Sequence, residues 1–68
     1  MDRNQALSRL VQCAGSQRHL AKLLGVSEEH VSRWRKGKYP VPEMVVALAE
    51  AMDKLPLKDW PDRWRRAA

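Results

Sequence analysis

The sequence has one cysteine, Cys13, so no disulfide can close within the chain. Nothing in it points to an oxidising compartment. No basic residue adjoins Cys13 to lower its pKa, so a buried or half-buried, unreactive thiol is expected. Long apolar runs are missing as well. The longest, residues 44–49, has six residues, against about 20 for a membrane-spanning helix. The opening "MDRNQALSRL" carries no apolar signal core. These features predict a soluble, cytoplasmic protein with no membrane partner. The sequence also lacks repeats, low-complexity segments and any clear strand pattern. His19, His30 and Cys13 fail in spacing and number as a metal site. No carboxylate pair adjoins a nucleophile and a base, so no active site, cofactor or small-molecule substrate is expected, and the protein reads as a non-enzyme.

With 68 residues the chain makes one domain. A domain this small buries only about 60% of the surface of its unfolded chain. That favours a binding module over a preorganised enzyme cleft. Thirteen Lys and Arg outweigh eight Asp and Glu, giving +5. Such an excess favours anionic partners, nucleic acid before membrane surfaces, although it also serves solubility in many small domains.

The chain divides cleanly. Ala6, Leu7, Leu10, Val11 and Ala14 recur at helical spacing and Gly15 follows as a stop, which predicts a first helix from about residue 3 to 14. Ser16 then caps "QRHLAKLL", which Gly25 ends. Ser27 caps "EEHVSRWRK", which Gly37 ends. Two short helices joined by the three residues "GVS" have the form of a helix-turn-helix. Each position in the unit has its required chemistry. Ala21 is small where the helices approach, Gly25 permits positive φ, Val26 plugs the angle, and Val31 and Trp34 face inward. "YPVP" breaks the chain. Pro42 in a first helical turn then opens the apolar helix "PEMVVALAEAM", with Glu43 at its positive end. Beyond it, Pro56 and Pro61 interrupt the pattern. Expected there are a short helical turn near residues 57–60 and then a basic tail prone to fraying. The division is thus a helix-turn-helix domain over 1–55 and an aromatic, basic tail over 56–68.

"SQRHLAKLLGVSEEHVSRWRKGKYPVP" resembles the helix-turn-helix of phage Cro and repressor proteins, in particular the YdaS-like and Cro-like group. The pattern residues are Ala14, Gly15, Ser16, Gln17, Leu20, Ala21, Leu24, Gly25, Val26, Ser27, Val31, Ser32, Trp34 and Gly37. "KDWPDRW" resembles the acidic-aromatic end of the same group. The resemblance covers about 30 residues directly, and about 50 with the first and fourth helices. It implies an all-α fold, a small four- to five-helix bundle of lambda-repressor-like or Cro type. It also implies a DNA-binding transcriptional regulator of phage or prophage origin. A homodimer on a palindromic operator is expected, because one helix reads only a few base pairs.

The third helix can be read from its own periodicity. At about 100° per residue, with Glu28 at zero, Val31 and Trp34 fall near 300° and 240°. Glu29, Ser32, Arg33 and Lys36 then lie within about 50° of the opposite side, near 90°, with Glu28 at the edge. In this motif the outward face enters the major groove of double-stranded DNA. Glu28, Glu29, Ser32 and Arg33 are therefore the candidate base readers. The carboxylates would accept from cytosine N4 or adenine N6, and Arg33 would pair with guanine. The two glutamates equally suit the positive end of a helix dipole, a role that needs no DNA. Ser16, Gln17, Arg18, Arg35, Lys36 and Lys38, with Lys22 beside them, are the candidate phosphate contacts. Residues 16–38 carry six Lys and Arg and two Glu. Trp34 is assigned to the core. Trp60 and Trp64 are candidate dimer contacts, with Trp60 expected in the core and Trp64 partly exposed. Tyr39 is expected to pack over its loop or donate to a phosphate. Two rival readings belong to other classes: an antitoxin-type protein-binding module, and a host-takeover factor acting through the apolar tail.

Overall fold

A computed structural model describes residues 1–67. The last residue of the tail lies outside the described residues. Five α-helices follow one another: α1 (Arg3–Ala14), α2 (Gln17–Leu24), α3 (Glu28–Arg35), α4 (Glu43–Lys54) and α5 (Asp62–Ala67). A single 3-10 turn, Leu57–Asp59, stands between α4 and α5. The protein is an all-α helical bundle, with no strand among the described residues.

Local chemistry sets most of the boundaries. At the start of α1, the Asp2 carboxylate accepts from Gln5 N at 2.7 Å and the Gln5 side chain accepts from Asp2 N at 3.1 Å. This reciprocal capping box satisfies two otherwise unpaired donors. Ser16 Oγ accepts from His19 N at 3.0 Å, and Ser27 Oγ accepts from His30 N at 3.1 Å. Gly25 ends α2 at φ 75°. Gly25 N donates to Lys22 O and Val26 N to Ala21 O, which reverses the chain and turns Val26 back onto the core. A Cβ at Gly25 would meet nothing within 4 Å. The demand for glycine there is therefore one of backbone conformation, not of space. Pro42 stands one residue outside α4, as its cap, and not in its first turn. Its carbonyl accepts from Val45 N and Val46 N at 3.0 and 3.2 Å.

One apolar core joins the elements. Leu7 and Leu10 of α1, Leu20 of α2, Val31 and Trp34 of α3, and Val45, Ala49 and Met52 of α4 are all buried in it. α1 lies centrally, packing against α2, α4 and α5. No polar or charged residue is buried among the described residues. The core therefore works by exclusion of water alone, which favours burial by roughly 25 cal/mol per Å² of apolar surface.

The tail departs from expectation. Its α5 folds back against α1 and α2. The two tryptophans exchange roles. Trp64 is 6% exposed and belongs to the core, whereas Trp60 is only partly buried against it. Trp60 Nε1 donates to Leu55 O at 3.1 Å and closes the loop around Pro56. Arg63 reaches from α5 to donate to Lys22 O at 3.3 Å, at the end of α2 where carbonyls lack helical partners. Trp64 is thus used inside the core, and of the two tryptophans it is Trp60 that keeps exposed surface.

Cys13 is buried on α1, as the sequence indicates. Burial raises its thiol pKa above the ordinary value of 9.0. Arg9 lowers it in part and Asp53 raises it again. Arg9 Nε lies 3.2 Å from Asp53 Oδ1, close enough for an ion pair but without hydrogen-bond alignment.

Two outcomes follow from this packing. Trp64→Ala should destabilise by about 3–5 kcal/mol, a large share of the roughly 5–15 kcal/mol of a whole domain. Trp60→Ala should cost well under half as much, and thermal melts followed by circular dichroism compare the two. Cys13 should react slowly with a thiol reagent at pH 8 in the native protein and rapidly in urea, because its thiolate is disfavoured by burial. Equal rates in both conditions would contradict the buried, raised-pKa thiol.

Candidate nucleic-acid interface

α3 is fixed by two side chains. Val31 and Trp34 are buried, three residues apart on one face. Of the stripe expected from periodicity, this orientation leaves Glu28, Glu29 and Lys36 exposed and Ser32 and Arg33 partly so, while Arg35, expected at its flank, is exposed as well. Both glutamates lie in the first turn of α3, where the helix dipole favours negative charge. Ser27 satisfies one amide there by capping, and the glutamates leave that bond undisturbed.

The stripe is not a row of independent groups. Arg33 Nη2 lies 2.5 Å from Glu29 Oε1, an i,i+4 ion pair along the exposed surface. Pairs of opposite charge four apart on a helix meet as neighbours. That spacing is the sequence signal for this contact. Arg33 also lies over Tyr39, with Cζ 5.5 Å from the ring centroid. No short-range rule places residue 39 over residue 33. The turn after α3 does so: Gly37 takes φ 78°, Gly37 N donates to Trp34 O, and Lys38 N donates to Arg33 O at 3.0 Å.

The candidate phosphate contacts gather at the start of α2 and the end of α3. Arg35 Nη1 donates to Gln17 Oε1 at 3.0 Å and ties these two helix ends together. With its carbonyl oxygen engaged, Gln17 keeps its amide NH2 free to donate outward. Ser16 accepts through one lone pair as a cap and retains its hydroxyl proton as a donor. Arg18, Lys36 and Lys38 are exposed, and among the described residues none of them forms an ion pair. Lys22 is exposed beside Arg18 and His19. Several cations elsewhere are neutralised: Arg3 pairs with Glu43 at 2.6 Å, Arg9 lies against Asp53, and Arg65 pairs with Asp62. Net positive charge is concentrated around α2 and α3, where residues 16–38 hold six Lys and Arg against two Glu.

Among the described residues, no three of His, Cys, Asp and Glu come together as a metal-binding group. No helix among them is long and apolar enough to cross a membrane. A shallow apolar groove, lined by Leu24, Val26, Trp34, Pro42, Val45 and Leu48, runs beside the turn, and Met44 at its edge is 84% exposed.

Residues 7–54 match the family model described as Bacterial toxin YdaS. The match takes in most of α1 and all of α2, α3 and α4, including every residue of the candidate interface. It stops before the 3-10 turn and α5, so the likeness of "KDWPDRW" to the group's C-terminal segment lies outside it. No curated protein and no solved structure matches the chain. With a match over most of its length, the chain belongs to the YdaS toxin family.

Proposed function

We propose that this protein is a sequence-specific DNA-binding transcriptional regulator without catalytic activity. The observation that carries the reading is the anchoring of α3. Val31 and Trp34 turn one face inward, so a stripe of five hydrogen-bonding side chains faces solvent, flanked by unpaired cations. That arrangement suits a helix lying in the major groove, with phosphate contacts on either side. Arg33 pairs with guanine. Arg18, Arg35, Lys36 and Lys38 contact phosphates, helped by Ser16 and Gln17. The protein acts by occupancy in the cytoplasm, covering a promoter and excluding polymerase, as a Cro-like repressor of phage or prophage origin would. One helix reads only a few base pairs. A homodimer on a palindrome, with half-sites about 34 Å apart, supplies the remaining specificity.

The family description names a toxin, and this favours a second reading. In it the protein arrests growth by docking on a host protein through the apolar groove beside the turn. The two readings differ in what they require of the outward stripe of α3, because only DNA occupancy needs Arg33.

Selection of bound duplexes from a random pool should enrich a palindrome. Affinity for it should fall with salt with a log–log slope of about −3 to −4 per protomer, from four cationic phosphate contacts at roughly 0.9 each. A flat salt response would sink the DNA reading. Arg33→Ala should cost roughly 1–3 kcal/mol on the enriched site and relax one base preference, whereas Lys36→Ala should weaken all duplexes evenly. If expression of the protein arrests growth, Arg33→Ala should relieve the arrest. Undiminished arrest with DNA binding lost would move the function to the protein-docking reading.

A further inference from the structure

A connected set of side chains runs from the core to the outward face of α3. Trp34 is buried. His30 stands edge-on to it, with ring centroids 4.9 Å apart and planes at 88°. Tyr39 lies against His30 at 5.9 Å and 47°. Arg33 lies over Tyr39 and pairs with Glu29 at 2.5 Å. The Arg33 guanidinium is therefore held on two sides, by a carboxylate along the helix and by a ring across the turn.

Arginine loses much rotamer freedom when it is fixed in a complex. A guanidinium already fixed in the free protein loses less on binding. It has five donors, and Glu29 engages the nitrogen Nη2. Donors remain for the O6 and N7 acceptors of guanine. Glu29 is meanwhile committed: a cytosine or adenine amino group would have to compete with Arg33 for the carboxylate. The pair is also neutral as a whole, so it adds little attraction to phosphates in general. An exposed pair of this kind contributes little to stability. Its value to the protein lies in base selectivity.

We propose that Glu29 and Tyr39 are positioning residues that preset Arg33 for guanine, and that Glu29 does not itself read a base. The inference rests on the DNA-binding reading above. It reverses the role that periodicity alone gives Glu29, and it gives Tyr39 a part in specificity.

The test selects duplexes from a random pool with the full chain and its variants, then measures affinity for the enriched site and for single-base changes in it. The wild type should fix a guanine whose selection is lost in Arg33→Ala. A bidentate contact discriminates by about 5- to 150-fold. Glu29→Met keeps length and helix propensity but removes the acceptor. It should cut the preference for that guanine by about 5-fold or more, while affinity for unrelated duplexes rises because a negative charge is gone. Tyr39→Leu should also lose guanine preference, and Tyr39→Phe should retain it, since the ring face is what Arg33 meets. Unchanged melting temperatures would separate these effects from misfolding. If Glu29→Met leaves the guanine preference intact and relaxes a cytosine or adenine instead, Glu29 is a direct reader and the proposal fails. If Tyr39→Leu keeps the preference, the ring has no positioning role. A selected guanine that survives Arg33→Ala would overturn both assignments while leaving the DNA reading in place. No enrichment by the wild type would overturn the DNA reading itself.

Discussion

Val31 and Trp34 hold α3 to the rest of the protein, and the arrangement of everything around α3 depends on that hold. A helix of eight residues has too few hydrogen bonds to persist alone in water. Its structure comes from the burial of those two side chains in the common core, with α3 packed against α2, and from the Ser27 cap at its start. Because only one face is used for anchoring, the other is free for a partner. The same division decides charge. The core contains no polar or charged residue among those described, so apart from the Cys13 thiol the ionisable side chains lie at the surface, open to pairing or to recognition.

The surface charges fall into two kinds. Outside residues 16–38, seven Lys and Arg stand against six Asp and Glu, and three of these cations meet acids: Arg3 with Glu43, Arg9 with Asp53, Arg65 with Asp62. Around the helix-turn-helix, Arg18, Lys36 and Lys38 remain without acidic partners, and Arg35 engages a neutral amide. The net +5 is therefore unevenly spread. Within that field, Glu29 and Arg33 cancel each other. The two glutamates that look misplaced beside a polyanion divide accordingly. Glu28 stands free at the positive end of the helix dipole, and Glu29 is tied to the arginine one turn on.

The family match, over residues 7–54, takes in most of α1 and all of α2, α3 and α4. It leaves α5 aside, although Trp64 of α5 is part of the same apolar core. The segment after α4 thus shares one apolar core with α1–α4. Cutting the chain after Met52 would remove Trp64 from the core, so loss of function on truncation would not by itself mark the tail as a docking surface.

The sequence by itself determined where the helices lie. Caps such as Ser16 and Ser27, stops such as Gly15 and Gly25, and the spacing of apolar residues act within a turn or two of the chain, so the bounds of α1 and α2 and the inward face of α3 were legible without coordinates. The Asp2 capping box and the Glu29–Arg33 pair are local too, at spacings of three and four. Only the tertiary structure decided which tryptophan is buried, where Arg63 reaches, and that Tyr39 lies over Arg33. Each of these depends on how the chain returns after a proline or a glycine. That path is set by packing between residues far apart in sequence, which no local pattern encodes.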